Sequence, residues 1–188
     1  MDEFELIRRY FARDAQASDV IVGIGDDGAV LELAPGIQQV QVIDTMVEGV
    51  HFPSDMAAAD VGYRVVAVNL SDIAAMGAKP RWMTLALTLA DQDESWVDQF
   101  AAGLFDAARE YDVELIGGDT TSGKVIVATV HMTGVVEEGA ALLRSGANVG
   151  DTVFVTGTVG DAAAGLALLR DGEREEYLQR RFLRPRAR

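Results

Sequence analysis

The order of the apolar segments constrains the fold of this chain more than any other feature. Apolar residues recur at every second position in a strand and every three to four positions in a helix. Strands are predicted at residues 19–24, 29–33, 40–44, 82–89, 113–116 and 125–135, and helices at 4–11, 56–76 and 94–111. From residue 40 the order is strand-helix-strand-helix-strand-strand, which predicts an α+β fold, a mixed sheet with helices on one face.

The other face of this sheet has no helix to cover it. The two longest predicted strands, Trp82 to Leu89 and Val125 to Val135, are rich in apolar residues, so both of their sides should be buried. One side is expected to carry Met83, Leu85, Leu87, Val127, Thr129 and His131. We therefore predict that a second copy of the chain covers the open face, giving a homodimer.

The chain changes character after residue 138. A turn-rich stretch, Arg144 to Asp151, leads to a predicted strand at Val153 to Thr156 and a helix within Gly157 to Leu169. We predict a first domain at 1–138 and the start of a second at 139–188, which is too short to form a core. The last stretch, 170–188, holds seven Arg and four acidic residues. We interpret it as a solvated helix face with a frayed terminus rather than a binding patch.

Charge and composition exclude several classes of function. The 188 residues carry a formal net charge of −14, which argues against nucleic acid and anionic membranes as partners because both are bound through clustered Lys and Arg. Cysteine is absent, so disulfides, thiolate metal sites and cysteine nucleophiles are excluded. The most apolar long stretch, Val61 to Ala78, contains Arg64, Asn69 and Asp72 and is no membrane span. Because residues 1–14 show no export signal, we expect the cytoplasm.

Five carboxylates fall in four short runs that are expected to lie where strands and helices end. The runs are Gly25-Asp26-Asp27, Asp44-Thr45, Asn69-Leu70-Ser71-Asp72 and Gly117-Gly118-Asp119. A single Asp beside Gly is commonly a turn former whose side chain bonds its own backbone. Several carboxylates together repel one another and need cations, and Mg²⁺ binds through a few carboxylates plus the phosphates of a substrate. The runs therefore predict a magnesium cluster that holds a polyphosphate.

The first of these runs also fits a different motif. Residues 23–28 match the G-x-G-x-x-G pattern of dinucleotide-binding folds, in which the loop opens a helix. Here the next residues alternate like a strand, and two carboxylates would occupy the place of the pyrophosphate. The chain has no Walker A sequence either. If it binds ATP, metal ions must neutralise much of the phosphate charge.

Five motifs, taken in order and spacing, resemble a known family. They are Gly-Asp-Asp, Asp-Thr-Met-Val-Glu-Gly-Val-His-Phe, Asn-Leu-Ser-Asp-Ile-Ala-Ala-Met-Gly-Ala-Lys-Pro, Gly-Gly-Asp-Thr and Arg-x-Gly-Ala-x-x-Gly-Asp. The chain resembles the thiamine-monophosphate kinases, part of a larger group of ATP-binding proteins typified by aminoimidazole ribonucleotide synthetase. The segment Val47 to Phe52 favours the kinases over their relatives. The resemblance covers essentially the whole chain.

The resemblance implies a role for particular residues. It assigns magnesium to Asp27, Asp44, Asp72 and Asp119, ATP to Gly118, Asp119 and Arg144, and the thiamine phosphate to His51. Ile43 stands where the family usually has a small hydroxyl residue, so only its backbone carbonyl could bind a metal. Residues 1–138 would be the ATP- and Mg²⁺-binding and dimerisation domain. Two other interpretations stay open: His51 as a capped loop histidine, and Arg144 as part of a surface salt bridge.

The reaction implied by the resemblance is transfer of the γ-phosphoryl group of ATP to thiamine monophosphate. The acceptor phosphate is already largely ionised near neutral pH, so no catalytic base or nucleophile is expected, and positioning and metal electrostatics carry the reaction. Since the family has further metal- and ATP-binding residues beyond those seen here, this chain alone is expected to be weakly active or inactive. The alternatives are a sister enzyme that makes an acyl or seleno phosphate, and a non-catalytic dimerisation and metal-binding module.

Overall fold

The structure is a computed structural model that describes residues 3–13, 17–22, 24, 30–90, 94–173 and 175–187. Its helices are α1 (Glu3–Leu6), α2 (Ala58–Ala75), α3 (Glu94–Glu110), α4 (Asp161–Asp171) and α5 (Glu176–Leu183). Its strands are β1 (Val20–Val22), β2 (Val30–Leu31), β3 (Ile37–Val47), β4 (Lys79–Leu89), β5 (Glu114–Ser122) and β6 (Val127–Glu137). Short turns of π-helix (Ile7–Phe11) and 3₁₀-helix (Arg144–Gly146) are also present. None of the described helices is long and apolar enough to cross a lipid bilayer.

Four of the strands form one mixed sheet in the order β3-β6-β4-β5. The pairs β3–β6 and β4–β6 are antiparallel, whereas β4 and β5 are parallel. The parallel pair requires a crossover connection, and α3 supplies it. Along the chain the elements follow the order β3-α2-β4-α3-β5-β6, which confirms the predicted α+β fold with a mixed sheet.

Helix α2 lies on the sheet, and α3 packs closely against α2. The core between them contains side chains with no exposed surface, such as Val65, Phe100 and Val130. Two glycines allow the helices to touch. A Cβ atom on Gly103 would lie 1.8 Å from the carbonyl oxygen of Ala59, and one on Gly62 would lie 2.1 Å from that of Phe100. The helix backbones are therefore in direct contact, and no side chain larger than hydrogen fits at either position.

The strand register corrects the predicted composition of the second sheet face. Met83, Leu85 and Leu87 of β4 pair with Met132, Val130 and Ala128 of β6, and all six are buried on the helix side. Thr84, Ala86 and Thr88 pair with His131, Thr129 and Val127 on the other side. The prediction that Met83 shares a face with His131 is wrong because the two strands pair one residue out of the assumed register. Along residues 84–88 of β4, the second face carries small and mostly polar side chains rather than large apolar ones.

The ribbon of β1 and β2 covers one end of this second face. Val20 packs with Trp82 and Ile116 in a small buried apolar cluster. The Asp19 carboxylate fixes the ribbon, since it accepts hydrogen bonds from the Arg81 guanidinium and, at 3.4 Å, from the Trp82 indole N–H. The expectation that this whole face lies open is therefore wrong at the β4–β5 end.

The strand predicted at Val153 to Thr156 does not form. Val153 and Phe154 are 89% and 86% exposed, and residues 151–157 lie outside any helix or strand. A strand is stable only when its backbone groups pair with a neighbour, and no described strand lies beside this segment. The apolar pattern of Val153 to Thr156 is that of a strand, but no strand among the described residues pairs with it.

The basic end of the chain is packed rather than frayed. Phe182 of α5 is buried, and the Arg64 guanidinium of α2 lies 4.2 Å from the centroid of its ring and donates to its backbone carbonyl. Arg184 forms an ion pair with Asp60 of α2. The interpretation of 170–188 as a frayed terminus is wrong because Phe182 gives α5 an apolar anchor. The predicted domain boundary at 138/139 falls one residue after the end of β6 and stays a prediction.

Candidate functional site

Asp44 lies inside β3, three residues before the strand ends at Val47. Its partner across the sheet is Val130, which is fully buried, so Asp44 is on the helix side. The expectation that Asp44 ends a strand is wrong because Met46 and Val47 continue the pairing with β6 beyond it. Burial raises the pKa of the Asp44 carboxyl, the charge of Asp72 raises it further, and His51 lowers it.

Asp72 lies in the last turn of α2. The helix contacts β3, and the charge of Asp72 is the second cause, after burial, that raises the pKa of Asp44. Two carboxylates held together by the fold are favourable only when a cation or a proton neutralises one of them. The two predicted metal ligands, 28 positions apart in the sequence, thus lie on elements that contact each other, and their joint binding of a metal stays a prediction.

His51 lies in the turn that follows β3. Its backbone N–H donates to the carbonyl of Val47, and its Nδ1 accepts a hydrogen bond from the Val47 backbone N–H at 3.0 Å. Because Nδ1 is an acceptor, the proton of the neutral ring is on Nε2. The Glu48 carboxylate accepts from the Ile126 backbone N–H and fixes the turn. His51 is therefore a capping residue that still presents one N–H donor near Asp44.

Arg144 lies in the 3₁₀ turn and is exposed. Two residues earlier, the Leu142 backbone N–H donates to the carbonyl of Met76 at 2.9 Å, just past the end of α2. Arg144 is therefore held at the same end of α2 as Asp72. No carboxylate in the described ranges forms an ion pair with Arg144, so the surface salt-bridge interpretation gains no support.

Gly118 and Asp119 lie inside β5, not after it. Gly118 is opposite Leu85, and a Cβ atom there would lie 2.0 Å from the Leu85 carbonyl oxygen; strand packing alone requires this glycine. Asp119 is opposite Ala86. Strands β5 and β3 are the two edges of the sheet, about 14 Å apart at three strand spacings. The structure therefore does not bring Asp119 to the pair of Asp44 and Asp72.

The predicted metal contacts of Asp27 and Ile43 stay predictions. Asp26 and Asp27 lie outside the described residues, so the cluster of Asp27 with Asp44 and Asp72 stays a prediction. The Ile43 side chain is 64% exposed on the second face, on the opposite side of the strand from Asp44. A metal contact from its backbone carbonyl also stays a prediction.

Asn69 is a residue of the motifs to which the sequence assigned no role. It is fully buried in α2, and its Oδ1 atom has no hydrogen-bond partner in the described part of the chain. The sequence signal was an amide inside an apolar helix, three residues before Asp72. Within the described ranges, no group of three or more His, Asp or Glu residues could hold a metal. By residue type alone, carboxylate and amide oxygens are the ligands that a hard cation such as Mg²⁺ prefers.

Comparison with known proteins places this chain in a class. The family model described as "AIR synthase related protein, N-terminal domain" matches residues 25–136. The chain belongs to this family. Within it, the chain is similar to the thiamine-monophosphate kinases. That of Escherichia coli (strain K12) is 51% identical over 191 residues, which cover 97% of this chain and 58% of the relative. The chain thus spans less than two thirds of that relative's length.

Solved structures give the same result. The crystal structure of thiamine-monophosphate kinase from Stenotrophomonas maltophilia K279a superposes with a TM-score of 0.89 at 44% identity, covering 100% of this chain and 62% of that one. The structure described as AaThiL complexed with AMPPCP and TMP has a TM-score of 0.78 at 37% identity, covering 88% of this chain and 54% of that one. The fold of the described residues is therefore that of the kinases.

Proposed function

We propose that this chain takes part in the ATP-dependent phosphorylation of thiamine monophosphate to thiamine diphosphate. The observation that carries the proposal is the contact between β3, which bears Asp44, and α2, which bears Asp72. The charges of Asp72 and His51 both act on the Asp44 carboxyl, and Arg144 is held at the same end of α2. Transfer of a phosphoryl group between two anions needs carboxylates that bind a cation and N–H donors that bind the phosphates. The relatives named thiamine-monophosphate kinase, and the one bound to an ATP analogue and TMP, support the same reaction.

We propose Mg²⁺ as the metal, with Asp44 and Asp72 as its ligands. Carboxylate oxygens suit this hard ion, which would lower the charge repulsion between the two phosphates. Asp27 and Asp119 are proposed as further ligands on the family resemblance. Because Asp119 is on the second face of the sheet, opposite Ala86, whereas Asp44 is on the helix side, Asp119 would bind a separate cation from that of Asp44 and Asp72.

The remaining polar groups have separate positioning roles in this proposal. The planar guanidinium of Arg144 suits the phosphate oxygens of ATP. His51 would donate from Nε2 to the phosphate of thiamine monophosphate, because its Nδ1 is already occupied by Val47. No residue serves as nucleophile or base. The protein needs only to align the acceptor oxygen with the γ-phosphorus of ATP and to exclude other orientations of the acceptor.

A chimera tests the proposal. The matching residues of the Escherichia coli kinase, which are 51% identical, would be replaced by this chain, and thiamine diphosphate formation would be measured with ATP and Mg²⁺. We expect activity in the chimera, a loss of at least about 100-fold in its Asp44→Asn form, and little or no activity for residues 1–188 alone. A folded chimera without activity would contradict the proposed function.

We also propose a homodimer that forms through the second sheet face. Ile43 is a large apolar side chain exposed on that face, and β3 is an edge strand of eleven residues whose outer backbone groups have no described partner. Because the face is more polar than the sequence predicted, the association should depend strongly on Ile43. Ile43→Lys should give monomers in analytical ultracentrifugation, whereas Val50→Lys, on an exposed turn, should not. Equal masses for both variants would contradict this interface.

The location and the domain division complete the proposal. We propose the cytoplasm, where ATP is plentiful, and a division into residues 1–138 and 139–188. Apart from the 3₁₀ turn, residues 138–160 lie outside any helix or strand, which supports the division. Limited proteolysis should cut first within that segment, and a first cut inside 37–137 would contradict the division.

A further inference from the structure

The last residues of α5 and the four residues after them cross the outer surface of the helix layer. We call residues 182–187 the strap. Phe182 is buried, and the half-buried Leu183 beside it also packs against the core. The Arg64 guanidinium of α2 lies 4.2 Å from the centroid of the Phe182 ring and donates to the Phe182 backbone carbonyl. The strap is thus attached to α2 by an apolar side chain and by its own backbone.

The rest of the strap joins α2 to α3. The Arg184 guanidinium forms ion pairs with Asp60 of α2 and, at 3.8 Å, with Asp106 of α3. Further along, the Ala187 backbone N–H donates to the hydroxyl of Tyr111 at 3.2 Å, one residue after the end of α3. The strap therefore contacts both helices of the layer at once.

Helices α4 and α5 are joined to each other directly. A Cβ atom on Gly165 of α4 would lie 2.0 Å from the carbonyl oxygen of Leu178 in α5, so the two backbones touch. The Asp161 carboxylate at the start of α4 accepts a hydrogen bond from the Tyr177 hydroxyl at 3.0 Å and lies 3.5 Å from the Arg181 guanidinium. We therefore expect the α4–α5 pair to move as one body.

Outside the strap, this pair has few attachments to the layer. Residues 147–160, which lead into α4, lie outside any helix or strand. Leu166 and Leu169 of α4 are only partly buried against the core. The next firm contact is at the opposite end of α2, where the Leu142 backbone N–H donates to the Met76 carbonyl. The strap is therefore the main attachment of the pair, and Leu142 lies where a pivot would be.

The docked strap combines opposed energies. Burial of the Phe182 ring favours docking. The same docking covers Arg64, and burial lowers the pKa of its guanidinium, because removing a charge from water is unfavourable. When the strap leaves, Arg64 regains water, which offsets part of the cost of exposing Phe182. Release therefore requires much less free energy than unfolding the layer.

We propose that the strap is a releasable attachment: when Phe182 leaves its site, the α4–α5 pair moves away from the layer as one body and uncovers the outer side of α2. Asp60, Arg64, Val68 and Asp72 follow one another at intervals of four residues along that side. The motion would occur whether or not the chain is a kinase. In a kinase it would open and close the side of α2 that carries Asp72.

Spin-label distances test the movement. The chain has no cysteine, so two introduced cysteines can be labelled specifically. Ala102 of α3 and Ala167 of α4 are both exposed, and Ala102→Cys with Ala167→Cys reports the separation between the layer and the pair. In double electron–electron resonance, Phe182→Ala should raise the ratio of longer to shorter distances at least about 10-fold. An unchanged distribution in this folded variant would overturn the proposal.

Amide hydrogen exchange tests whether the pair moves as one body. In Phe182→Ala, exchange in α4 should accelerate by about the same factor as exchange in α5, although Phe182 is not part of α4. Acceleration confined to residues 176–183 would overturn the movement of the pair as one body.

A milder substitution keeps the test decisive if Phe182→Ala does not fold. Arg64→Lys keeps the charge but loses the planar group that stacks on Phe182. It should raise the ratio of longer to shorter spin-label distances by about 2–30-fold. The matched control is Arg170→Lys, at an exposed position of α4, which should leave the ratio unchanged. Equal distributions for the two lysine variants would overturn the role of the strap.

Discussion

The layer formed by β3–β6, α2 and α3 and the segment from residue 139 to 187 are held together in different ways. In the first, strand backbones pair along their length and side chains such as Phe100 and Met132 are fully buried. In the second, Val153 and Phe154 are exposed, and α5 is attached mainly through the Phe182 ring and the arginine contacts around it. Similar apolar patterns gave a paired strand in one region and an unpaired segment in the other.

This difference shows that an apolar run becomes a strand only where the fold supplies a neighbour. It also predicts two levels of stability, since regions with few buried apolar contacts open at lower free energy than the core. The layer should unfold as one cooperative unit, and α5 should be able to detach before it. Four variants examine this comparison, from the largest expected effect to the smallest.

Gly103→Ala disrupts the contact between α2 and α3 and should have the largest effect on the free energy of unfolding. The new Cβ atom would lie 1.8 Å from the Ala59 carbonyl oxygen, and a backbone atom cannot move aside without shifting the whole helix. We expect a loss of about 3 kcal/mol in the free energy of unfolding, at the upper end for overpacking. Urea unfolding followed by circular dichroism measures it.

The control for this variant is Gly146→Ala, which has no atom within 4 Å of the added Cβ. Its free energy of unfolding should change by less than about 0.5 kcal/mol. Equal losses in the two variants would show that the contact between α2 and α3 does not hold the layer together.

Phe182→Ala should detach α5 while leaving the layer folded. A core Phe→Ala change costs about 3–5 kcal/mol, but a helix that can undock limits the cost to its own binding energy, about 2 kcal/mol here. Amide hydrogen exchange should accelerate in residues 176–183 and stay nearly unchanged in β6. Glu176→Ala, at an exposed position of the same helix, is the control. Faster exchange throughout β6 would mean that the two regions form a single unit.

Asp44→Asn should stabilise the layer at neutral pH in the absence of metal. Burial and then Asp72 raise the pKa of Asp44 in the folded chain above the ordinary 3.8, so the charged carboxylate costs stability. Below 3.8 the group is protonated in both states and the variant should match the unmodified chain; the difference grows as pH rises to the folded pKa. Thermal unfolding in EDTA from pH 3 to 7 measures it. A variant less stable at pH 7 would contradict the sign.

Arg184→Lys should have the smallest effect. The ion pair with Asp60 is partly exposed, so its loss should cost at most about 1 kcal/mol, mostly from the guanidinium geometry that lysine lacks. Arg109→Lys, in the more exposed pair with Asp106, should change stability by still less. Hydrogen exchange of α5 is again the measurement, and an effect as large as that of Phe182→Ala would show that charge rather than burial attaches α5.

Much of the layer could be predicted from the sequence because α2 and α3 have long apolar periodicities. Both helices lie within two residues of the predicted bounds. Strands β3 and β5 are longer than predicted because pairing with neighbours continues through Asp44-Thr45 and Gly117-Gly118-Asp119, residues that locally favour turns. The pairing register, and with it the true character of the second face, depends on distant contacts.

The site was predictable in part. Its motifs led to Asp44 and Asp72, which lie on the contacting elements β3 and α2, and to His51 in the turn after β3; their roles stay predictions. The state of Asn69 was not predictable, because an unpaired atom is defined only by what surrounds it in the folded chain. The distance between Asp119 and Asp44 was not predictable either, since it follows from the order of strands in the sheet.

The contact between Gly62 and the α3 backbone also fixes the position of the other end of α2, which carries Asp72. Ten residues of helix separate Gly62 from Asp72, a rigid length of about 15 Å. Any substitution that pushes α2 away from α3 at one end must shift or tilt the carboxylate at the other. A variant at Gly62 would therefore move Asp72 relative to β3, the strand that carries Asp44, without changing either carboxylate.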